Sequence, residues 1–197
     1  MKIYNDLIQG TDEWLKVRLG KFTASSAQAI ATNGKGLDTL VFEKAEEILT
    51  GQIKQGYKNA DMERGNELEP KARNLYELET GNIVNQVGFV ELNEYVGCSP
   101  DGLVGNDGLM EVKSPSFRVY YEYLTTGIID TGYMWQMQMQ MLVTDRKWCD
   151  YVVYNPVFKN QPIIIKRVDR DEKSINKLEV GLQTAQAKLQ TILERTK

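Results

Sequence analysis

The sequence predicts an α/β fold with a mixed central β-sheet flanked by helices. Three observations lead there. From Met110 to Lys113, apolar and polar residues alternate, the period of a strand. Residues 171 to the end carry Ile175, Leu178, Val180, Leu182, Ala185, Leu189 and Ile192 as the apolar positions of a long helix. Between these, strand-like and helix-like segments follow one another along the chain without an internal repeat, a low-complexity stretch or a domain break, so residues 1–197 read as one domain.

Taken in order, Thr11 caps a first helix with Asp12 and Glu13 in its opening turn, and Gly20 ends it. Trp14, Leu15 and Val17 face inward, and Arg18 lies one turn beyond Trp14. Thr23-Ala24-Ser25-Ser26 starts a second helix through about Ala31. A helix N-terminus with hydroxyls beside an arginine suits an anion. From this segment alone, ordinary capping by Thr23 or Ser25 is the simpler reading. Residues 33–36 read as a loop, and Asp38 caps a third helix through about Leu49. Residues 50–60 are mostly polar and read as a surface loop. Residues 65–70 lead into a helix through about Glu79, with Pro70 in the first turn and Gly81 as the stop. Glu69, Arg73, Tyr76 and Glu77 cluster on it. Residues 83–84, 87–92 and 95–98 read as strands that form a meander with 108–113.

Residues 117–124 read as a short helix ended by Gly127. Residues 130–144 are ambiguous because Tyr133 to Met141 alternates strictly; Met and Gln favour helix, which puts Met134, Met137, Met141 and Leu142 on one stripe and Gln136 with Gln140 on one face. Residues 148–154 and 162–168 read as two more strands before the C-terminal helix.

Residues 97–115, GCSPDGLVGNDGLMEVKSP, hold the densest chemistry. On a strand, Glu111 and Lys113 share a face while Met110 and Val112 point into a core. The glycine-containing stretch 102–108 lets the chain reverse and return Asp101 beside Glu111. Two carboxylates and an ammonium on one wall suit a hard divalent cation and phosphodiester hydrolysis. A carboxylate from Glu69 could complete such a site; an ordinary salt-bridged acid is the alternative.

Composition narrows the chemistry further. The chain is 42% hydrophobic and 26% charged, as in an ordinary soluble globule, and nothing approaches the length of a membrane span or resembles a signal peptide, so a cytoplasmic location and no membrane partner are expected. The two cysteines, Cys98 and Cys149, read as buried thiols in strands. There is no histidine, which excludes Ser–His–Asp, Cys–His and HExxH chemistry and leaves oxygen ligands, hence Mg²⁺ or Mn²⁺. The net charge of −3 argues against indiscriminate coating of DNA but leaves room for a local basic groove, drawn from Lys16, Arg18, Lys21, Lys35, Lys54, Lys58, Arg64, Lys71, Arg73 and Arg118.

Pro100, Asp101, Glu111 and Lys113 resemble the motif of the PD-(D/E)xK nuclease superfamily. Five ordered blocks narrow the resemblance to the phage λ-type exonucleases, the YqaJ-like viral recombinase group. They are WLKVRLGKFTAS (14–25), GNELE (65–69) with Ala72-Arg73, CSPDGL (98–103), LMEVKSP (109–115) and YMWQMQ (133–138). The resemblance implies a PD-(D/E)xK nuclease core and a 5′→3′ exonuclease that digests one strand of duplex DNA and leaves a 3′ overhang for a single-strand annealing protein. It also implies a toroidal homotrimer. Asp101, Glu111 and the Val112 carbonyl would hold metal, with Glu69 supporting the second of two Mg²⁺ ions, for which Mn²⁺ could substitute. Lys113 would activate or orient the water and Gln136 would help place it. Arg18 would grip a terminal 5′-phosphate with Thr23, Ser25 and Ser99, which replaces the capping reading above. The alternatives are an endonuclease on the same core and a non-catalytic DNA-end binding protein. A glycosidase built on the carboxylate pair leaves Lys113 without a role.

Overall fold

The structure is a computed structural model that describes residues 1–53 and 60–196. It contains two mixed sheets flanked by helices rather than one. The four-stranded sheet has the order β1 (Lys2–Tyr4), β4 (Phe89–Asn93), β5 (Val96–Cys98), β2 (Phe22–Thr23). The five-stranded sheet has the order β3 (Val84–Asn85), β6 (Gly102–Val104), β7 (Gly108–Lys113), β8 (Trp148–Tyr154), β9 (Ile163–Asp169). The expected single meander therefore divides: β4 and β5 pair with each other, while β7 belongs to the other sheet. The chain changes sheets at Ser99-Pro100-Asp101, so Asp101 lies at the junction.

β1, β2 and β6 were absent from the sequence expectation. β1 and β2 are too short to show a period, and their partners are distant in sequence: Ile3 pairs with Val90 and Phe22 with Val96. β6 lies in the stretch read as a turn; it pairs antiparallel with β7, Gly102 opposite Met110, which returns Asp101 beside Glu111 as expected. β7 and β8 are parallel, a pairing that needs a long crossover. α5 (Phe117–Thr126) and α6 (Thr131–Thr144) supply it, so residues 130–144 are helical despite their alternation.

Three helix starts differ from expectation. After α1 (Asp12–Arg18), residues Ala24–Ser26 form a 3₁₀ turn before α2 (Ala27–Thr32), and neither Thr23 nor Ser26 makes a side-chain capping bond. α3 (Lys35–Thr50) starts at Lys35 with Gly34 as its cap, because Leu37 is drawn into the core; Asp38 lies in the first turn and pairs with Lys188 at 2.6 Å. α4 spans Ala60–Thr80, so Pro70 is internal and cannot donate to the Asn66 carbonyl four residues back. The good helix formers Met62, Glu63 and Arg64 extend the helix ahead of it. The loop expected at 50–60 is replaced at its ends by α3 and α4, and residues 54–59 lie outside the described residues. The C-terminal helix, α7 (Glu172–Arg195), is capped by Asp171; Val180 is exposed on it rather than apolar core.

Two hydrophobic clusters sandwich the five-stranded sheet. Leu109 joins the larger, with Ile30 and Leu37 from α2 and α3, Met137 and Met141 from α6, and Leu178 and Leu182 from α7. Met110 and Val112 join the smaller, with Ala72 and Tyr76 from α4. β7 is thus covered on both faces, and Glu111 is only 1% exposed beside α6. Cys98 on β5 and Cys149 on β8 are both buried and free. Among the described residues no helix is long and apolar enough to cross a membrane.

Candidate active site

One cavity of about 600 Å³ is lined by all ten site residues singled out from the sequence: Arg18, Thr23, Ser25, Glu69, Ser99, Asp101, Glu111, Val112, Lys113 and Gln136. These come from α1, β2, the 3₁₀ turn, α4, β7, α6 and the sheet junction.

The carboxylate wall is set by the β6–β7 pairing. Asp101 Oδ2 accepts from the Val112 amide at 2.7 Å, which fixes the carboxylate at the sheet edge. Gln9 reinforces the junction, donating to the Pro100 carbonyl at 3.2 Å. Lys113 and Gln136 both donate to Glu111 Oε1, each at 2.5 Å, and Gln140 donates to Oε2 at 2.7 Å. Tyr133 lies over the Lys113 ammonium, 4.7 Å from ring centroid to nitrogen. Glu69 sits on α4 with Arg73 at 3.3 Å.

The electrostatics of this wall are strained. Burial, then the nearby Glu111 and Glu69 carboxylates, push Asp101 well above the usual carboxylate range. Glu69 is raised as well, first by burial, with Arg73 pulling it back and Glu111 adding to the rise. Burial would lower the Lys113 ammonium, but Glu111 and Asp101 outweigh it and raise the group above its ordinary value. In the metal-free site the Lys113 ammonium donates to Glu111 Oε1.

The opposite end of the cavity is built on Arg18. Its guanidinium stacks on Trp14, 4.1 Å from the ring centroid, and donates to Ser99 Oγ at 3.3 Å and Thr23 Oγ1 at 3.5 Å. Thr23 Oγ1 and Ser25 Oγ are 3.2 Å apart. The Trp14 indole donates to the same Ser99 oxygen at 2.9 Å. Burial brings the Arg18 guanidinium down to about 10, because little negative charge compensates it. The turn after Arg18 is held by Gly20, at φ +70, whose amide donates to Glu47 Oε2 at 2.9 Å; Glu47 is itself buried on α3.

Of the remaining cations proposed for a groove, only Arg64 among the described residues shares this cavity, where it donates to the Ser114 carbonyl at 3.2 Å. Lys21 is buried against Glu91 at 3.1 Å, Arg73 is committed to Glu69, and Arg118 pairs with Glu122 at 2.9 Å on an exposed surface. Lys16, Lys35 and Lys71 are exposed, away from the cavity lining, and Lys54 and Lys58 lie outside the described residues.

The donor set fits a hard divalent cation. All available ligands are oxygens, and Asp101 is a buried carboxylate short of positive charge. Among the described residues no three acidic or cysteine side chains converge closely enough to hold an ion by themselves. Asp101, Glu111 and a carbonyl such as that of Val112, with water filling the rest of the shell, match the habit of Mg²⁺.

Sequence reasoning missed Trp14 as the platform for Arg18, Tyr133 as the cover for Lys113, Glu47 as the support of Gly20, and Gln140 as a partner of Glu111. The signal for Gln140 was its place one turn from Gln136 on the same helix face. Gln138, between them, points away and bonds the Asp169 carbonyl and the Asp171 amide, both at 2.9 Å.

Comparison with known proteins identifies the family and the fold. Residues 13–147 match the YqaJ-like viral recombinase domain. The structure superimposes on an alkaline exonuclease from Laribacter hongkongensis with a TM-score of 0.87 and 38% identity, covering 94% of this chain and 96% of that one. The same TM-score and identity are found with that exonuclease in complex with dAMP, over 95% of this chain and 96% of the other. A phage-related exonuclease from Haemophilus somnus shares the fold at 18% identity, with a TM-score of 0.68 over 90% of this chain and 96% of that one. No curated protein matches. The fold is the PD-(D/E)xK fold of the alkaline exonuclease, and the chain belongs to the YqaJ-like viral recombinase family.

Proposed function

We propose that this protein is a Mg²⁺-dependent 5′→3′ exonuclease that digests one strand of duplex DNA from 5′-phosphorylated ends and leaves 3′ overhangs for recombination by strand annealing. The observation that carries the reading is the continuity of one cavity from the Arg18 cradle to the Asp101–Glu111–Lys113 wall. An anion site for a terminal phosphate beside a hydrolytic site is what end-dependent cutting requires. The 38% identity to an alkaline exonuclease over 94% of this chain supports the same class of reaction, and that relative's complex with dAMP supports release of 5′-mononucleotides.

In this reading Arg18, Thr23, Ser25 and Ser99 hold the 5′-phosphate and thereby place the first phosphodiester at the wall. Lys113 donates a hydrogen bond to the attacking water or the phosphoryl oxygen, in the orientation that Glu111 and Tyr133 give it. Gln136 steadies the front of Glu111. Two divalent cations held by Asp101, Glu111, the Val112 carbonyl and Glu69 would lower the pKa of the bound water and neutralise charge on the phosphodiester. A homotrimer enclosing the DNA and a single-strand annealing partner complete the proposal, on the family resemblance.

The deciding experiment is digestion of linear duplex DNA with Mg²⁺, comparing 5′-phosphate with 5′-hydroxyl ends, with closed circular plasmid as a control. Loss of one strand from 5′-phosphate ends, slow loss from 5′-hydroxyl ends and none from circles is the expected result. Cutting of circles assigns the wall to an endonuclease instead. No cutting with either Mg²⁺ or Mn²⁺ leaves a DNA-end binding protein.

A further inference from the structure

Glu111 is held from two sides, and the two sides differ. Lys113 and Gln136, on Oε1, both line the cavity. Gln140, on Oε2, is absent from the cavity lining and only 1% exposed. It reaches Oε2 from α6, one turn beyond Gln136, and its chain neighbours Met139 and Met141 are both fully buried.

A glutamine in such surroundings is costly unless its amide is used. Here it is half used: Nε2 bonds Glu111 at 2.7 Å, while Oε1 is buried with no hydrogen-bond partner among the described residues. Turning the amide over would set oxygen against a carboxylate oxygen, so the bond to Glu111 decides the orientation. Packing alone would be served as well by the methionines found on either side. The contrast with Gln138 is direct, since there both ends of the amide tie α6 to the start of α7.

We propose that Gln140 is a positioning residue that anchors the rear oxygen of Glu111 and so sets the affinity of this chain for its divalent cation. The inference rests on the reading of Glu111 as a metal ligand. A carboxylate held only through Oε1 can rotate about its last bond when front partners exchange; the bond from Gln140 keeps Oε2 in place throughout. Partners of metal ligands typically change affinity by about 10–100-fold when removed, and Gln140 makes the single side-chain hydrogen bond recorded at Oε2 among the described residues.

The test compares wild type, Gln140→Met and, as a structural control, Gln138→Met. Mn²⁺ affinity is measured by titration calorimetry, and the Mg²⁺ requirement by digestion of 5′-phosphorylated duplex. Gln140→Met should weaken Mn²⁺ binding about 10-fold or more and raise the half-saturating Mg²⁺ in parallel. KM for DNA should stay unchanged, and most of kcat should return at saturating Mg²⁺. Gln138→Met should lower Tm and leave Mn²⁺ affinity alone. A folded Gln140→Met protein whose Mn²⁺ affinity stays within about twofold of wild type, well below the loss expected for such a partner, overturns the proposal. If Gln140→Met does not fold, Gln140→Leu puts the same question with a different apolar shape. Wild-type protein that binds neither Mn²⁺ nor Mg²⁺ overturns the metal reading itself, which separates that failure from a failure of Gln140.

Discussion

The Arg18 end and the Glu111 end of the cavity are electrostatic opposites that share a shortfall of countercharge. At one end a buried guanidinium is lowered to about 10, with neutral hydroxyls of Ser99 and Thr23 as its hydrogen-bond partners. At the other, Asp101 and Glu69 are raised by burial and by carboxylates, and Lys113 in their midst with Arg73 beside Glu69 does not offset the rise. The polypeptide leaves the first end ready for an anion and the second for a cation. The difference teaches how the two ends should respond to mutation: on the proposed function, the Arg18 end would govern which DNA ends are accepted, and the carboxylate end would govern whether anything is cut.

Substitution at Lys113 puts the largest effect on the cutting side. Lys113→Ala should lower kcat by about 10³-fold, within the range for a positioned proton-transfer or charge-stabilising group, while binding of duplex DNA in a gel-shift assay persists. Full turnover in that variant would remove the ammonium from the mechanism. Arg18→Ala should act on selectivity: a lost charge-assisted contact of about 1.5–3 kcal/mol corresponds to roughly 10–150-fold in kcat/KM on 5′-phosphate ends, with little change on 5′-hydroxyl ends. Equal losses on both ends would mean that Arg18 serves the fold, or the wall, rather than the phosphate.

The smallest effect separates stability from chemistry. Asp101 has its folded value raised, so the folded protein binds that proton more tightly than the unfolded chain does. Its contribution to stability is present at low pH and is lost as pH rises from the unfolded carboxylate value through the raised folded one. Metal-free Asp101→Asn should therefore be inactive yet melt a few degrees above wild type at neutral pH, on a scale of about 2–4 °C per kcal/mol for a chain of this size. Mg²⁺ should raise the Tm of wild type more at neutral than at acid pH, and should leave Asp101→Asn nearly unmoved. A lower Tm in metal-free Asp101→Asn would show that the bond from the Val112 amide outweighs the carboxylate's burial.

Much of the wall was legible because its geometry is local. Alternation from Met110 places Glu111 and Lys113 on one face, and a short reversal returns Asp101 to them. The composition of residues 130–144 outweighed their alternation because Met and Gln lower the cost of helix, and Gln136 with Gln140 then fell on one side. The Arg18 end was less legible. Its hydroxyls come from β2 and the sheet junction, and β2 exists only because Phe22 pairs with Val96. A two-residue strand has no period to detect, so Thr23 and Ser25 looked like helix caps. The split into two sheets escaped for the same reason, since pairings such as Ile3 with Val90 span most of the chain's first half. Family resemblance supplied what local pattern could not, namely a reason to connect Arg18 with Ser99.

Trp14 adds an optical consequence. Its indole lies against the Arg18 guanidinium and shares Ser99 with it, so any anion drawn into the cradle alters the field and hydrogen bonding around that ring. The other tryptophans sit elsewhere, Trp148 beneath Arg167 at 3.6 Å and Trp135 on α6. On the proposed function, Trp14 emission would give the molecule an intrinsic reporter of end capture, readable in a stopped-flow instrument without a label and separable in time from the bond cleavage that follows.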